Sequence, residues 1–425
     1  MPLTSVRLPS LLLLGPLLLA ALDGVSTAAD WPQFRGPHAN GRVDVANLPT
    51  HWDRQQNIAW RSELPGEGWS TPVVVSDRIY VTTAIPADSN SAAPANYTLD
   101  LLVLDVESGK LVQQINLFHQ DNSAPKIHKK NSHASPSVQF DGNDLLYVHF
   151  GHLGTACVRV DGQVLWKNDS LSYEPVHGNG GSPVLVGKHL IFSRDGSQVS
   201  EVIALDKATG QVAWRTPRDT TEAKLFSFCT PLLLDLEGRQ QVIFPGSGVV
   251  QSLNPANGEE YWRVRYEGFS VIPQPIYQSG LVFLSTGYMR PQLLAIDPTG
   301  SGDVTDTHLK WTAKTSIPNT PSMVGIDQRV AMISDSGIAV CFDALTGKEL
   351  WKERIGGNFS ASPILAGSHL YLLSETGECT ILDISSTSPT EVAVNKLEER
   401  TLASPAVYQQ DLLIRTANAM YRIHQ

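Results

Sequence analysis

Ser182-Pro183-Val184-Leu185-Val186-Gly187-Lys188-His189-Leu190-Ile191-Phe192-Ser193, followed by Val202-Ile203-Ala204-Leu205-Asp206-Lys207-Ala208-Thr209-Gly210-Gln211-Val212-Ala213-Trp214-Arg215, is the stretch that decides the fold. It holds four short apolar runs separated by polar turns, the pattern of an antiparallel four-stranded unit. Gly187-Lys188 closes the first hairpin and Arg194 to Ser200 forms a loop. Asp206 to Gly210 turns the third strand into the fourth, with glycine where the backbone needs positive φ.

The unit recurs along the chain. A proline opens its first strand at Pro72, Pro136, Pro183, Pro231, Pro275, Pro321, Pro363 and Pro405, at intervals of 64, 47, 48, 44, 46, 42 and 42 residues. A period of that length is the signature of a propeller blade. The turn and its tryptophan recur as well: Asp206…Gly210…Trp214 matches Asn254…Gly258…Trp262 and Asp343…Gly347…Trp351. Asp161-Gly162…Trp166 is a shortened form, and Asp297 through Gly302 to Trp311 a lengthened one. These tryptophans are expected on outer strands, burying aromatic surface between blades. Two repeats depart, with Gln113 and Val394 in place of the tryptophan.

After Pro405 only three strands remain, and the missing fourth is found at the other end, in Asn57-Ile58-Ala59-Trp60-Arg61. The expectation is an all-β, eight-bladed β-propeller of four-stranded antiparallel blades over 57–425, its last blade closed by an N-terminal strand. Closure removes the exposed strand edges that an open array would leave.

With this turn in its repeats, the chain resembles the pyrroloquinoline-quinone (PQQ)-like repeat propellers over about residues 57–425. That family includes quinoprotein alcohol dehydrogenases and the periplasmic propeller of the outer-membrane assembly machinery. The stretches Asp30-Trp31-Pro32-Gln33-Phe34-Arg35-Gly36-Pro37 and Ser360-Ala361-Ser362-Pro363 look like its secreted bacterial members, for which a defined activity is often lacking. In the dehydrogenases the resemblance implies a quinone in the channel, covered by a vicinal cysteine pair and bridged by calcium. This chain has cysteines only at 157, 229, 341 and 379, none adjacent. No Glu, Asn and Asp set is placed by motif.

Residues 1–28 are expected to be a Sec-type signal peptide. Leu11 to Leu22 is apolar, and Ser26-Thr27-Ala28-Ala29 offers a small-residue cleavage site. The run is too short for a confident membrane span. No cysteine stands near for lipidation, so the mature chain is expected in the periplasm or outside the cell. A net charge of −10 argues against a nucleic-acid role. Four scattered cysteines are no disulfide framework; they are expected as buried apolar filler.

Few residues are left for chemistry. His128, His133, His149, His152 and His177 fall in loops expected on one face, and two or three are candidate ligands for a transition metal. The plainer reading is a polar rim. Gly178 to Gly181 lacks a phosphate loop's Lys-Ser/Thr and following helix, so it reads as a turn. Ile85 to Tyr97 and Asn116 to Ser132 are long insertions on that face, the expected partner or ligand surface, with plain exposed linker as the alternative. Arg290 and Arg194-Asp195 are candidates for the channel mouth, or simply pair with acidic neighbours on the surface. Residues 29–56, with Trp31, Phe34 and Trp52, are expected to pack irregularly on the propeller, across one end of the channel, or to gate it. No cofactor is expected, with PQQ and calcium or a His-bound metal as the alternatives. The function expected is a non-catalytic scaffold for an envelope protein or ligand. The rival is a divergent quinoprotein dehydrogenase or a metal-dependent enzyme.

Overall fold

The computed structural model describes Met1 and residues 31–45, 47–88, 96–121 and 126–425. The signal-peptide assignment lies outside those residues. Eight antiparallel sheets follow one another around a ring, with blade 2 over 139–168, blade 4 over 232–265, blade 5 over 276–313, blade 6 over 324–354 and blade 7 over 364–396. Blade 1 is built from strands Val73–Val75, Arg78–Pro86, Tyr97–Asp105 and Leu111–Gln120. Blade 3, the repeat quoted above, comprises Val184–Val186, His189–Asp195, Ser200–Asp206 and Val212–Pro217. Blade 8 takes Ala406–Tyr408, Asp411–Arg415 and Ala419–Ile423 from the C-terminal end, and Ile58–Glu63 from the N-terminal end. Ile58 pairs with Ile423 and Glu63 with Ala419, so the ring closes by an antiparallel ladder.

Two blades carry a fifth strand. Gly302–Asp303 pairs in parallel with blade 4 beside Trp262, and Arg42–Val43 pairs in parallel with Leu365 and Ala366 of blade 7. The core sits mainly between blades: Leu99, Leu101 and Val103 of blade 1 pack with Leu146, Val148, Ala156 and Val158 of blade 2 in one cluster. All four cysteines are buried and free.

The tryptophans dock one blade on the next. The Trp60 indole N–H donates to the Val106 carbonyl at 3.0 Å, Trp166 to Lys207 at 3.0 Å, Trp214 to Pro255 at 3.2 Å and Trp311 to Ala344 at 3.0 Å. Each acceptor lies in the following blade's Asp or Asn turn. The ring also lies on that turn's glycine: Trp60 on Gly109, Trp166 on Gly210, Trp214 on Gly258 and Trp311 on Gly347. A bare Cα lets the indole approach flat against the backbone. Trp262 and Trp351 differ because the turns facing them differ. Trp262 donates instead to Gln241 at 2.9 Å within its own blade and is fully buried. Gly302, read as the glycine of the next blade's turn, belongs to the added parallel strand. Trp351 faces Asp383-Ile384-Ser385-Ser386, which has no glycine, and its indole nitrogen has no partner.

A second belt runs around the channel. The Thr71 N–H donates to Ser137 Oγ, Ser137 N–H to Ser182 Oγ, and Ser182 N–H to Thr230 Oγ1, each at 2.9 Å. Across the ring, Gln274 donates to Ser322, Ser322 to Ser362 and Ser362 to Ser404, at 2.8 to 3.0 Å. Every step joins neighbouring blades. Small hydroxyl residues beside six of the eight prolines thus satisfy backbone N–H groups of the neighbouring blade.

The N-terminal extension closes one end of the channel. Trp31 pairs with Val74 of blade 1 and the Pro32 carbonyl accepts from Phe140 of blade 2. A few residues on, the Arg35 guanidinium donates to the carbonyls of Met323, in blade 6, and Asn40. The Gly41 carbonyl then accepts from Leu365 of blade 7. Blades 2 and 6 face each other across the ring, so residues 31–43 cross the axis. Arg35 is buried without a carboxylate partner, and desolvation lowers its pKa to about 9. Further along, Leu48 and Trp52 are buried in the core that blades 7, 8 and 1 share.

Candidate functional site

Above this floor the channel widens into a cavity of about 670 Å³, within the usual range for binding pockets. Phe34 forms its base. Its walls are the loops that enter each innermost strand, so the site collects one short segment from nearly every blade.

One wall is aromatic. The ring centroids of His177 and Phe226 lie 5.3 Å apart, those of Phe226 and Phe228 6.0 Å, Phe226 and Phe269 5.6 Å, and Phe269 and Tyr288 6.0 Å. This ladder climbs over blades 3, 4 and 5 from the cavity to the rim. At its top Tyr288 is 58% exposed and Met289 70% exposed, with Met289 held at φ 79. The Lys224 ammonium sits 4.2 Å from the Phe269 ring centroid. Across the cavity Trp69 and Leu402 form a smaller apolar patch, with the Arg400 guanidinium over Trp69. The flank at blade 6 is polar: Asp335 accepts the N–H groups of Asn319 at 2.6 Å and Thr320 at 3.4 Å.

A strap covers part of the mouth. The His128 N–H donates to the His177 carbonyl of blade 3's entry loop, at 3.2 Å. Two residues on, Lys130 Nζ lies 2.6 Å from Glu375 of blade 7, and Arg400 donates to the Lys129 carbonyl at 2.7 Å. Contacts with opposite sides of the ring place residues 128–130 over the axis. The strap is the described part of the long Asn116–Ser132 insertion, of which residues up to Gln120 prolong blade 1's outer strand. Likewise the Ile85–Tyr97 insertion is shorter than its sequence suggests, because Pro86 and Tyr97 pair as strand.

The five histidines do not gather into one site. His128 and His177 meet at the mouth, ring centroids 5.7 Å apart. His133 is buried against the Tyr97 ring. His149 Nδ1 lies 2.8 Å from Thr155 Oγ1, and its ring packs on Phe192. His152 Nδ1 lies 2.7 Å from the Asn179 amide. Among the described residues no three His, Cys, Asp or Glu side chains come together to hold a metal ion. Of the arginine candidates, Arg290 is exposed beside Tyr288 at the rim. Arg194 instead pairs with Glu201 at 2.5 Å, and Asp195 is wholly buried against Arg218 at 2.9 Å. Sequence reasoning passed over Phe226, Phe228, Phe269 and Lys224. Their signal is positional: Phe226-Ser227-Phe228 and Phe269 lie just upstream of Pro231 and Pro275, in the segments that enter the channel.

Burial drives the pKa of His149 down to about 3, assisted by His152, and that of His152 to about 4. Both are therefore neutral in the folded ring. Below pH 6.5 the unfolded chain takes up protons that these two sites refuse, so stability is full above that pH and falls as pH drops toward 4. The slope is at most about 1.4 kcal/mol per pH unit for each histidine. The melting temperature is expected to be flat between pH 7 and 8 and to decline below pH 6. His149→Gln is expected to flatten that decline, and an equally steep acid limb in the variant would contradict it.

The family model described as outer membrane protein assembly factor BamB matches residues 43–187, 104–325 and 246–420. No curated protein matches. Among solved structures, BamB from Moraxella catarrhalis is 15% identical, with TM-score 0.59, covering 86% of this chain and 99% of that one. A europium-containing methanol dehydrogenase is 11% identical, with TM-score 0.65, covering 92% and 90%. The computationally designed Ika8 protein is 12% identical, with TM-score 0.55, covering 79% and 95%. At such identities the likeness is one of fold.

Proposed function

The chain belongs to the PQQ-like repeat propeller family represented by the outer membrane protein assembly factor BamB, and from that premise we propose a non-catalytic binding propeller that works outside the cytoplasm. The observation that carries this is the one-ended funnel: residues 31–43 seal the channel below, and an aromatic wall runs up to an exposed rim above. A sealed floor leaves the strapped mouth as the way in. Exposed Tyr, Met and Arg side chains at 288–290 are the residue types enriched where proteins bind one another. The family relation and the sequence of residues 1–28 favour an extracytoplasmic site of action. No helix among the described residues is long and apolar enough to cross a membrane.

Two observations count against the quinone-bearing alternative. A hard cation bridging a quinone wants several converging oxygen ligands. Among the described lining residues Asp335 is the lone carboxylate, and one of its oxygens already accepts two backbone N–H groups, so several carboxylate oxygens do not converge here. The four cysteines are also free and far apart in sequence, so no vicinal pair can cover a quinone. The test is to add the quinone with calcium to the purified protein, then record its absorbance and dye-linked alcohol oxidation. No turnover is expected; stoichiometric quinone binding with alcohol oxidation would overturn the binding-protein reading.

A further inference from the structure

The aromatic ladder does not end where the cavity ends. A site for a free small molecule needs no apolar surface outside its pocket. Here Phe269 leads to Tyr288, whose N–H is pinned to the Phe269 carbonyl at 2.8 Å while its ring stays exposed. Met289 follows in a left-handed conformation that a bulky residue seldom adopts, and Arg290 follows that. The fixed backbone sets where these side chains emerge at the rim, so little backbone ordering is left to be done on binding.

Two cations on this path, Lys224 and Arg290, are free to meet a partner's charge. Among the described residues neither Lys224 nor Arg290 forms an ion pair, in a chain of net charge −10. Of the nearby carboxylates, Glu222 accepts the Gly268 N–H, Glu267 is exposed beside it, and Asp335 faces the cavity from the opposite flank. An ammonium held over a ring, next to a pocket lined by rings, suits a carboxylate adjoining an aromatic group.

We infer that the ladder seats an extended acidic segment of a partner protein. One aromatic side chain enters the cavity against Phe226, Phe228 and Phe269, its flanking carboxylate meets Lys224, and the chain leaves over Tyr288 and Arg290. This rests on the binding-protein reading and names the chemistry of its partner.

The test is fluorescence polarisation with the whole protein and labelled Gly/Ser peptides. Their central triplets are Asp-Phe-Asp, Lys-Phe-Lys or Asp-Ala-Asp. The acidic aromatic peptide is expected to bind at least ~10-fold more tightly than either of the others, a difference of about 1.4 kcal/mol. Lys224→Glu, an exposed position, should reverse the preference between the two charged peptides. Tyr288→Ala, also exposed, should weaken the acidic aromatic peptide without lowering the melting temperature. Equal binding of the three peptides, binding of none, or an unchanged preference in Lys224→Glu would overturn the inference. So would full displacement by free hydrocinnamate, which would point to a small aromatic acid as occupant. Self-association that Tyr288→Ala abolishes would point to a second copy and overturn it too. If the peptides fail while a partner still crosslinks at the rim, this inference falls and the binding reading stands.

Discussion

Gly210→Ala is expected to destabilise the ring by about 3 kcal/mol or more, whereas Gly187→Ala, in the same blade, is expected to lose only about 1 kcal/mol. Both glycines have positive φ, 71 at Gly210 and 55 at Gly187. A methyl group at position 187 meets nothing within 4 Å, so the change there carries only the left-handed backbone penalty. At position 210 it would lie 2.5 Å from Trp166 Cε3. Trp166 must then leave its seat, losing the contact with blade 3 and its hydrogen bond to Lys207. Denaturant unfolding of the two variants checks the difference. Equal losses would mean that the indole does not dock on the turn.

Deleting residues 31–64 is expected to abolish the soluble monomer, while a chain beginning at Asp30 keeps its full melting temperature. The deleted stretch supplies the fourth strand of blade 8 and three docked tryptophans: Trp31, Trp52 and Trp60. Removing a buried tryptophan side chain typically costs about 3–5 kcal/mol, against a usual total stability of about 5–15 kcal/mol. The ladder at Ala419–Ile423 would also be left as an open edge, which favours aggregation. Size-exclusion chromatography with circular dichroism decides it. A folded monomer from the shortened chain would contradict closure by the N-terminal strand.

The ring was legible because its signals are local and repeated. A proline before each inner strand, an Asp-to-Gly turn and a tryptophan four residues later each act within one unit, and seven spacings make them audible. The belt of hydroxyl groups was less legible, because its register moves: blades 2 and 6 use Ser137 and Ser322, after the proline, where blades 3, 7 and 8 use Ser182, Ser362 and Ser404, before it. The floor was foreseen as aromatic packing across one end. Its latch was not, since Arg35 reaches a carbonyl 288 residues away. The site was harder still. Histidines attract attention as ligands, yet His133, His149 and His152 are buried, His149 at the end of a strand, and of the five only His128 and His177 reach the mouth. The phenylalanines that build the wall sit in loops with no periodicity, and only the ring geometry brings blades 3, 4 and 5 into one surface.

The central claim is that a partner is met at one face of the ring. A photo-crosslinking residue placed at Tyr288 on the rim, and separately at Lys188 in the exposed turn on the opposite face, tests it in intact cells. Discrete adducts from position 288 and none from position 188 are the result expected. Adducts from both positions alike, or from position 188 alone, would contradict it.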